Sequence, residues 1–108
     1  MSRTMPASVV PIVHRLQFLE TLVGKWVLVK MQYGFRVKGK LLEFDSEANI
    51  QLKNVEVYDE DSMLDRTYHK TIHGSNIKDV QELDEEESQR FDSYWQSRGN
   101  YAELLLQG

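Results

Sequence analysis

The amino-acid sequence predicts a mainly β domain in which one N-terminal helix precedes five short strands and an acidic helical extension follows them. Apolar residues recur at helical spacings as far as Val23, and short runs bounded by turn residues then fill residues 25–81. Five strands in that space favour a small barrel over a sandwich. A chain of 108 residues holds one domain, or one domain with a tail.

The predicted helix begins at Pro11, which suits the first helical position because its missing N–H has no intrahelical partner there. Gly24 is the expected C-cap. Residues 1–10 are interpreted as a flexible segment, residues 11–81 as the domain and residues 82–108 as the extension. One apolar stripe supports the helix: Ile12, Val13, Leu16, Leu19 and Val23.

Turn residues separate the predicted strands. Gly34 supplies a turn with positive φ after the first strand. Gly39, in the middle of the second strand, predicts a bend or a close backbone approach that lets a small sheet close on itself. Residues 59–66 are interpreted as a charged connection. The strands are placed at residues 25–32, 35–44, 50–58, 67–72 and 77–80.

The net charge of −4 is concentrated near the C-terminus. Residues 1–81 carry 11 Lys/Arg and 10 Asp/Glu, a balance of +1, whereas residues 82–108 carry 2 and 7, a balance of −5. Phe91 and Trp95 are four residues apart and therefore share a helical face. With Tyr94 they are expected to pack on the barrel or on a partner, and Gly99-Asn100 is expected to break the segment. The acidic extension is interpreted as a protein–protein element because its charge repels RNA.

Catalytic and metal-binding chemistry is not predicted. The absence of cysteine excludes disulfides, a thiolate nucleophile and a cysteine-rich zinc site. His69 and His73 are placed on one side of the fourth strand, but the sequence offers them no third ligand or paired nucleophile. We therefore expect no enzyme, no cofactor and no metal site. No secretory signal or apolar run of membrane-spanning length is visible, so no membrane partner is expected.

Two turns carry the most specific pattern in the chain. Each turn belongs to a longer sequence pattern. The second pattern, which lies nearer the C-terminus, is Ile72-x-Gly74-x-Asn76-Ile77. The first pattern, which ends in the other turn and the strand after it, consists of Leu22-Val23-Gly24-Lys25, Val27, Val29, Gly34, Gly39, Phe44-Asp45, Asn49 and Leu52. In this order and after a helix, the two patterns resemble the Sm motifs of the Sm/LSm family, over roughly residues 12–81. The alternative is another small barrel of the SH3 or OB type.

The resemblance implies the Sm fold, an N-terminal helix on a strongly bent five-stranded antiparallel sheet. It also implies that the fourth strand of one subunit pairs with the fifth strand of the next, so that edge-strand hydrogen bonds close a hetero-heptameric ring of Sm/LSm subunits. The interface residues implied by the match are Tyr68, Ile72, Asn76, Ile77 and Val80.

The resemblance further implies that the turns after strands two and four bind one base of single-stranded, U-rich RNA. Asn49 falls on the base-reading position, Asp45 on the position that orients the loop, and Gly74 on the turn glycine. Glu47 stands where most members have an aromatic residue, and His73 where most have Arg, so weak stacking is expected. Three lysines are secondary candidates for phosphate contacts, with a solvated strand face as the alternative: Lys25, Lys38 and Lys40.

Two functions remain open from the sequence. One is a non-catalytic ring subunit that binds a U-rich snRNA or an mRNA 3′ end in a ribonucleoprotein, in pre-mRNA splicing in the nucleus or in cytoplasmic mRNA decay. The other is a divergent scaffold subunit that contributes ring geometry and protein recruitment with little RNA contact.

Overall fold

The computed structural model describes residues 12–107, and the predicted flexible segment at residues 1–10 lies outside them. The predicted order of one helix, five strands and a C-terminal helix is confirmed. Short 3₁₀ turns precede β2 and β5, at Gln32–Gly34 and Gly74–Asn76. The main elements are α1 (Ile12–Leu22), β1 (Trp26–Met31), β2 (Phe35–Phe44), β3 (Ile50–Asp59), β4 (Ser62–Ile72), β5 (Ile77–Glu82) and α2 (Glu85–Gln107).

The five strands form one antiparallel sheet in the order β4-β3-β2-β1-β5. Consecutive strands pair as hairpins, except that β5 crosses back to pair with β1. β4 and β5 are therefore the two edges of the sheet. No helix among residues 12–107 is both long and apolar enough to cross a lipid bilayer.

The main hydrophobic core lies between α1 and one face of the bent sheet. Val27 and Val29 on β1 are fully buried in this core. Gly24 follows α1 with φ of 86°, as a helix C-cap requires. The remaining buried members are Leu19, Leu22, Val37, Leu41, Ala48, Ile50, Leu52, Val55, Ile72, Ile77 and Val80.

The β2–β3 pair contains a close backbone approach and an irregularity in register. A Cβ atom on Gly39 would lie 3.2 Å from the carbonyl oxygen of Lys53 and 3.2 Å from Cγ2 of Val55, which confirms the predicted close approach. The β2–β3 register shifts between Lys38 and Lys40, and Asn54 on β3 has a positive φ of 56°. An extra residue of this kind bends a strand and increases its twist.

The predicted charged connection at residues 59–66 is wrong. β3 runs to Asp59 and β4 begins at Ser62, and these two residues face each other across a tight turn. Every residue of β4 before Ile72 is exposed or half-buried. An exposed edge strand tolerates charged residues and does not need the apolar alternation by which strands are identified in a sequence.

A second hydrophobic cluster lies on the opposite face of the sheet, under α2. Phe91 is fully buried and its ring centroid lies 5.1 Å from that of Trp26 on β1. Asp92 fixes the same tryptophan, whose indole nitrogen donates a hydrogen bond to the carboxylate at 2.7 Å. Trp95 and Leu83 complete the buried cluster. Phe91 and Trp95 thus share one face of the helix, as predicted, and this face packs on the barrel.

The expected break at Gly99-Asn100 is wrong, because α2 continues through these residues to Gln107. A glycine in a helix interior costs about 1 kcal/mol relative to alanine, which weakens a helix without ending it.

Candidate nucleic-acid interface

Asp45 organises the turn between β2 and β3. One of its carboxylate oxygens accepts hydrogen bonds from the backbone N–H of Glu47 at 2.9 Å and of Asn49 at 3.0 Å. The other oxygen accepts a bond from the side-chain amide of Asn49 at 2.9 Å. Ala48 takes the left-handed conformation, with φ of 61°, and is fully buried. Two backbone hydrogen bonds, from the N–H of Asp45 to the carbonyl of Asn49 and from the N–H of Ala48 to the carbonyl of Asp45, hold the turn together with this carboxylate.

These hydrogen bonds lower the pKa of Asp45 below its ordinary value of 3.8. The largest cause is the bond from the side-chain amide of Asn49, followed by the bond from the backbone N–H of the same residue. Each of these bonds favours the ionised carboxylate.

Asn49 joins the two turns. Its side-chain oxygen accepts a hydrogen bond from the backbone N–H of Gly74 at 2.8 Å. Gly74 is buried, and a Cβ atom there would lie 2.5 Å from the carbonyl oxygen of Glu47 and 2.8 Å from that of Ala48. The turn before β5 therefore approaches the turn before β3 as closely as glycine alone allows.

An open pocket of about 300 Å³ lies beside this junction. Three of the predicted site residues line it: Asp45, Asn49 and His73. The remaining two, Glu47 and Gly74, belong to the turns without lining the pocket. The structure adds four lining residues that the sequence analysis missed: Glu43, Phe44, Gln51 and Thr71.

The strand register explains the added residues. Glu43 on β2 pairs with Gln51 on β3, which pairs with Thr71 on β4, so the three lie in one row across the sheet. Their positions in the sequence share no motif, and the register that aligns them depends on the bulges in the β2–β3 pair. The alternation of each strand was the available signal, but it does not specify which residues face each other.

The lining of the pocket is acidic. It contains the carboxylates Glu43 and Asp45 but neither Lys nor Arg. His69 does not line the pocket and lies 3.1 Å from the Gln51 side chain, measured from its Nε2 atom to Oε1. Among the described residues no group of three or more His, Cys, Asp or Glu side chains is arranged to hold a metal ion.

The three candidate lysines contact other parts of the protein instead of lining the pocket. Lys38 forms an ion pair with Glu87 on α2 at 2.7 Å. The ammonium of Lys40 lies over the Trp26 ring, 5.1 Å from its centroid. Lys25 lies 3.8 Å from the Glu82 carboxylate.

Four of the five predicted interface residues lie on the edge strands β4 and β5, and three of those side chains are buried in the core. Ile72 on β4 is buried, as are Ile77 and Val80 on β5. Asn76 lies in the turn before β5, and Tyr68 contacts Trp95 of α2. An interface at these edges would therefore depend on backbone N–H and C=O groups, which point along the sheet and away from the core.

Comparison with known proteins identifies the fold family. Residues 17–94 match the LSM domain model. The chain belongs to the Sm/LSm family. Members of this family are non-catalytic RNA-binding proteins.

Individual relatives agree with this Sm/LSm assignment. The chain is 36% identical to the probable small nuclear ribonucleoprotein F of Arabidopsis thaliana, over 65% of this chain and 80% of that protein. The chain is also similar in structure to the Pyrococcus abyssii Sm protein in complex with a uridine heptamer, with a TM-score of 0.60 and 25% sequence identity. That similarity covers 63% of this chain and 96% of the archaeal chain.

A chain in the crystal structure of the NatC complex bound to CoA also has this fold. Its TM-score is 0.55, and the match covers 68% of this chain and 92% of that chain. The sequence identity is 19%, so this Sm/LSm chain shares with it the fold alone.

Proposed function

We propose that this chain is a non-catalytic subunit of a hetero-oligomeric Sm/LSm ring that binds single-stranded, U-rich RNA in a ribonucleoprotein of pre-mRNA splicing. The observation that carries the proposal is the position of Asn49, held by Asp45 and Gly74 at the edge of an open pocket. A side chain fixed at both ends of its amide presents its remaining hydrogen-bonding groups in one orientation.

The chemistry of that amide fits a uracil edge. The nitrogen of Asn49 donates one N–H to Asp45 and retains a second, and its oxygen has a second lone pair beside the one used by Gly74. Uracil presents both acceptors and a donor on its base-pairing edge. Edge hydrogen bonds of this kind are the usual means by which proteins read single-stranded RNA.

The nucleotide is bound weakly at this subunit. Glu47 and His73 stand at the positions where stacking residues are expected, and the pocket lining adds Glu43 without a compensating cation. A carboxylate repels phosphate, and a neutral imidazole lacks the guanidinium's fixed charge. The loss of one stacking platform costs about 1–3 kcal/mol per base.

The acidic lining also favours a second candidate function. In this scaffold hypothesis the subunit contributes ring geometry and recruits protein partners, and its pocket carries little RNA. Asn49 would then serve only to join the two turns, which its hydrogen bonds already do.

The proposed ring uses the unpaired edges of β4 and β5, which pair with neighbouring subunits of other sequence. Residues 18–29 resemble the second LSm subunit, with Sm D-type subunits close behind, whereas the Arabidopsis relative is a ribonucleoprotein F. These two resemblances point to different subunits. The identity of the other subunits in the ring would therefore show whether this chain belongs to an Sm or an LSm ring. A splicing ribonucleoprotein places the protein in the nucleus, and a ring acting in mRNA decay would add the cytoplasm.

The test uses this chain to purify its native complex from the source cells under gentle conditions. The native mass of the complex is then measured before and after ribonuclease treatment. The proposal predicts about seven different small subunits, identified by mass spectrometry as Sm or LSm companions, and a loss of RNA mass on digestion. A monomer, or a ring made of this chain alone, would contradict the heteromeric ring. An intact heteromer without RNA would support the scaffold hypothesis.

A further inference from the structure

The contacts of α2 show the direction in which this helix crosses the sheet. Near its start, Glu87 pairs with Lys38 on β2. One turn later Arg90 lies 3.4 Å from Glu56 on β3. The next turn carries Tyr94, whose ring lies under the guanidinium of Arg66 on β4. The helix therefore runs from the middle of the sheet towards the β4 edge.

The last described side-chain contact of α2 is at that edge. The ring of Trp95 lies 5.3 Å from that of Tyr68 on β4, in an edge-to-face arrangement. Within residues 12–107 no strand lies beyond β4. The helix continues to Gln107, twelve residues further, which at 1.5 Å per residue is about 18 Å. Since strands in a sheet are about 4.8 Å apart, this length exceeds the width of two additional strands.

The β4 edge carries two marks of an unfilled interface. Met63, Leu64 and Tyr68 are exposed, and Leu64 reaches 55% exposure. In addition, the indole N–H of Trp95 is buried without a hydrogen-bond partner among the described residues. Trp95 itself is only 4% exposed. Buried donors are nearly always paired, so an acceptor from another chain is the expected partner.

We propose that the second half of α2, residues 96–107, extends across the β4 edge and packs on the outer sheet face of the neighbouring Sm/LSm subunit. This inference rests on the ring proposed above, in which the neighbour's β5 pairs with β4. The face that α2 then meets is formed by the neighbour's β5 and β1, since β5 pairs with β1 in this fold. The helix joins two subunits in addition to the backbone hydrogen bonds of the edge strands.

The neighbour at this edge is a different subunit from this chain. On this chain the corresponding face of β1 is already covered, because Trp26 packs against Leu83 and Phe91. A second copy would present its own α2 at the place where the incoming helix must lie. The partner is therefore an Sm/LSm subunit whose outer face over β1 and β5 is free of a C-terminal helix.

Site-specific crosslinking in the full complex tests the inference. The photoreactive residue p-benzoylphenylalanine replaces Leu64 on β4, Lys78 on β5 or Tyr101 in the second half of α2, one position at a time. We expect positions 64 and 101 to crosslink to the same Sm/LSm subunit and position 78 to a different one. Crosslinking of position 101 to the β5-side neighbour, to its own chain, to another copy of this chain or to no subunit would overturn the inference.

The same experiment separates the failure of this inference from the failure of the ring. If positions 64 and 78 crosslink to no Sm/LSm subunit, the proposed function itself is wrong.

A chain truncated after Gln96 retains Phe91 and Trp95 and provides a second measurement. It should lose the β4-side neighbour at a lower salt concentration than the full chain does, while the β5-side neighbour remains bound. Equal retention of both neighbours would contradict the inference. The matched control is Tyr33→Ser, at a turn residue that is 95% exposed and outside both edges.

Discussion

The side-chain oxygen of Asn49 accepts a hydrogen bond from the backbone N–H of Gly74 at 2.8 Å and thereby joins two turns 25 residues apart in the sequence. The amide nitrogen of the same asparagine is bound to Asp45. A residue that holds the two turns together is thus also the residue proposed to contact the RNA base. Substitutions must therefore distinguish its structural role from its binding role.

Replacement of Asn49 by alanine should weaken RNA crosslinking at this subunit without dissolving the ring. The substitution removes the polar groups available to a uracil edge and also the bond to Gly74, whereas the strand edges keep their backbone groups. Crosslinking to 4-thiouridine RNA is read by mass spectrometry, with native mass as the control for assembly. Unchanged crosslinking in an intact ring would favour the scaffold hypothesis.

Replacement of Gly74 by alanine should destabilise the protein. The new Cβ atom would lie 2.5 Å from the carbonyl oxygen of Glu47, so the two turns must move apart. Overpacking of this kind costs about 1–3 kcal/mol, measured as the free energy of unfolding in urea. The neighbouring exposed Ser75→Ala is the matched control and should change stability little. Equal stability of the two variants would show that the turns do not need this approach.

The Glu56 carboxylate, which is fully buried, should make the effects of two arginine substitutions strongly non-additive. It accepts hydrogen bonds from Tyr58 at 2.5 Å, Arg66 at 3.2 Å and Arg90 at 3.4 Å. Either Arg66→Ala or Arg90→Ala leaves one cation in place, but the double variant buries a charge without a cationic partner. We expect the double variant to lose about 0.5–3 kcal/mol more than the sum of the single losses. Additive losses in a double-mutant cycle would refute this coupling.

Phe91→Ala should destabilise the barrel as well as α2. Phe91 is fully buried against Trp26, and removal of such a ring costs about 3–5 kcal/mol. The exposed Ser93→Ala is the control. Thermal unfolding followed by tryptophan fluorescence and by far-UV circular dichroism should give one coincident transition at a lower temperature. Separate transitions would instead support the division of the chain into a domain at residues 11–81 and an independent extension at residues 82–108.

The turn at Asp45 should open only in acid. Its pKa in the folded state lies below 3.8, so the folded state binds the proton less readily than the unfolded state does. The stabilisation from this carboxylate is fully present above that value and disappears as the pH falls through the lowered folded pKa. NMR titration of the Asp45 carboxyl carbon and of the Asn49 amide should report the same midpoint. A midpoint at or above 3.8 would contradict the hydrogen-bond assignment, and Asp45→Asn should abolish the titration.

The features of the Sm/LSm fold that could be predicted from the sequence are those that depend on residues close together in the chain. The apolar stripe before Gly24 predicted α1, and Gly39 marked a close backbone approach that the structure confirms. Asp45 and Asn49 were identified through the motif that they share. These features depend on residues near one another in the chain, where spacing and backbone freedom determine the outcome.

The tertiary structure decided the rest. The register placed Thr71 beside the pocket and set Glu56 between two arginines that lie 10 and 34 residues away. The predicted helix of the acidic extension packs on the barrel, because Trp26 supplies the surface that Phe91 needs. The sequence by itself determined the elements and the two turns, since these follow from local conformation. Which side chains meet was decided by the sheet's bulges and edges, because pairing across strands depends on residues far apart in the chain.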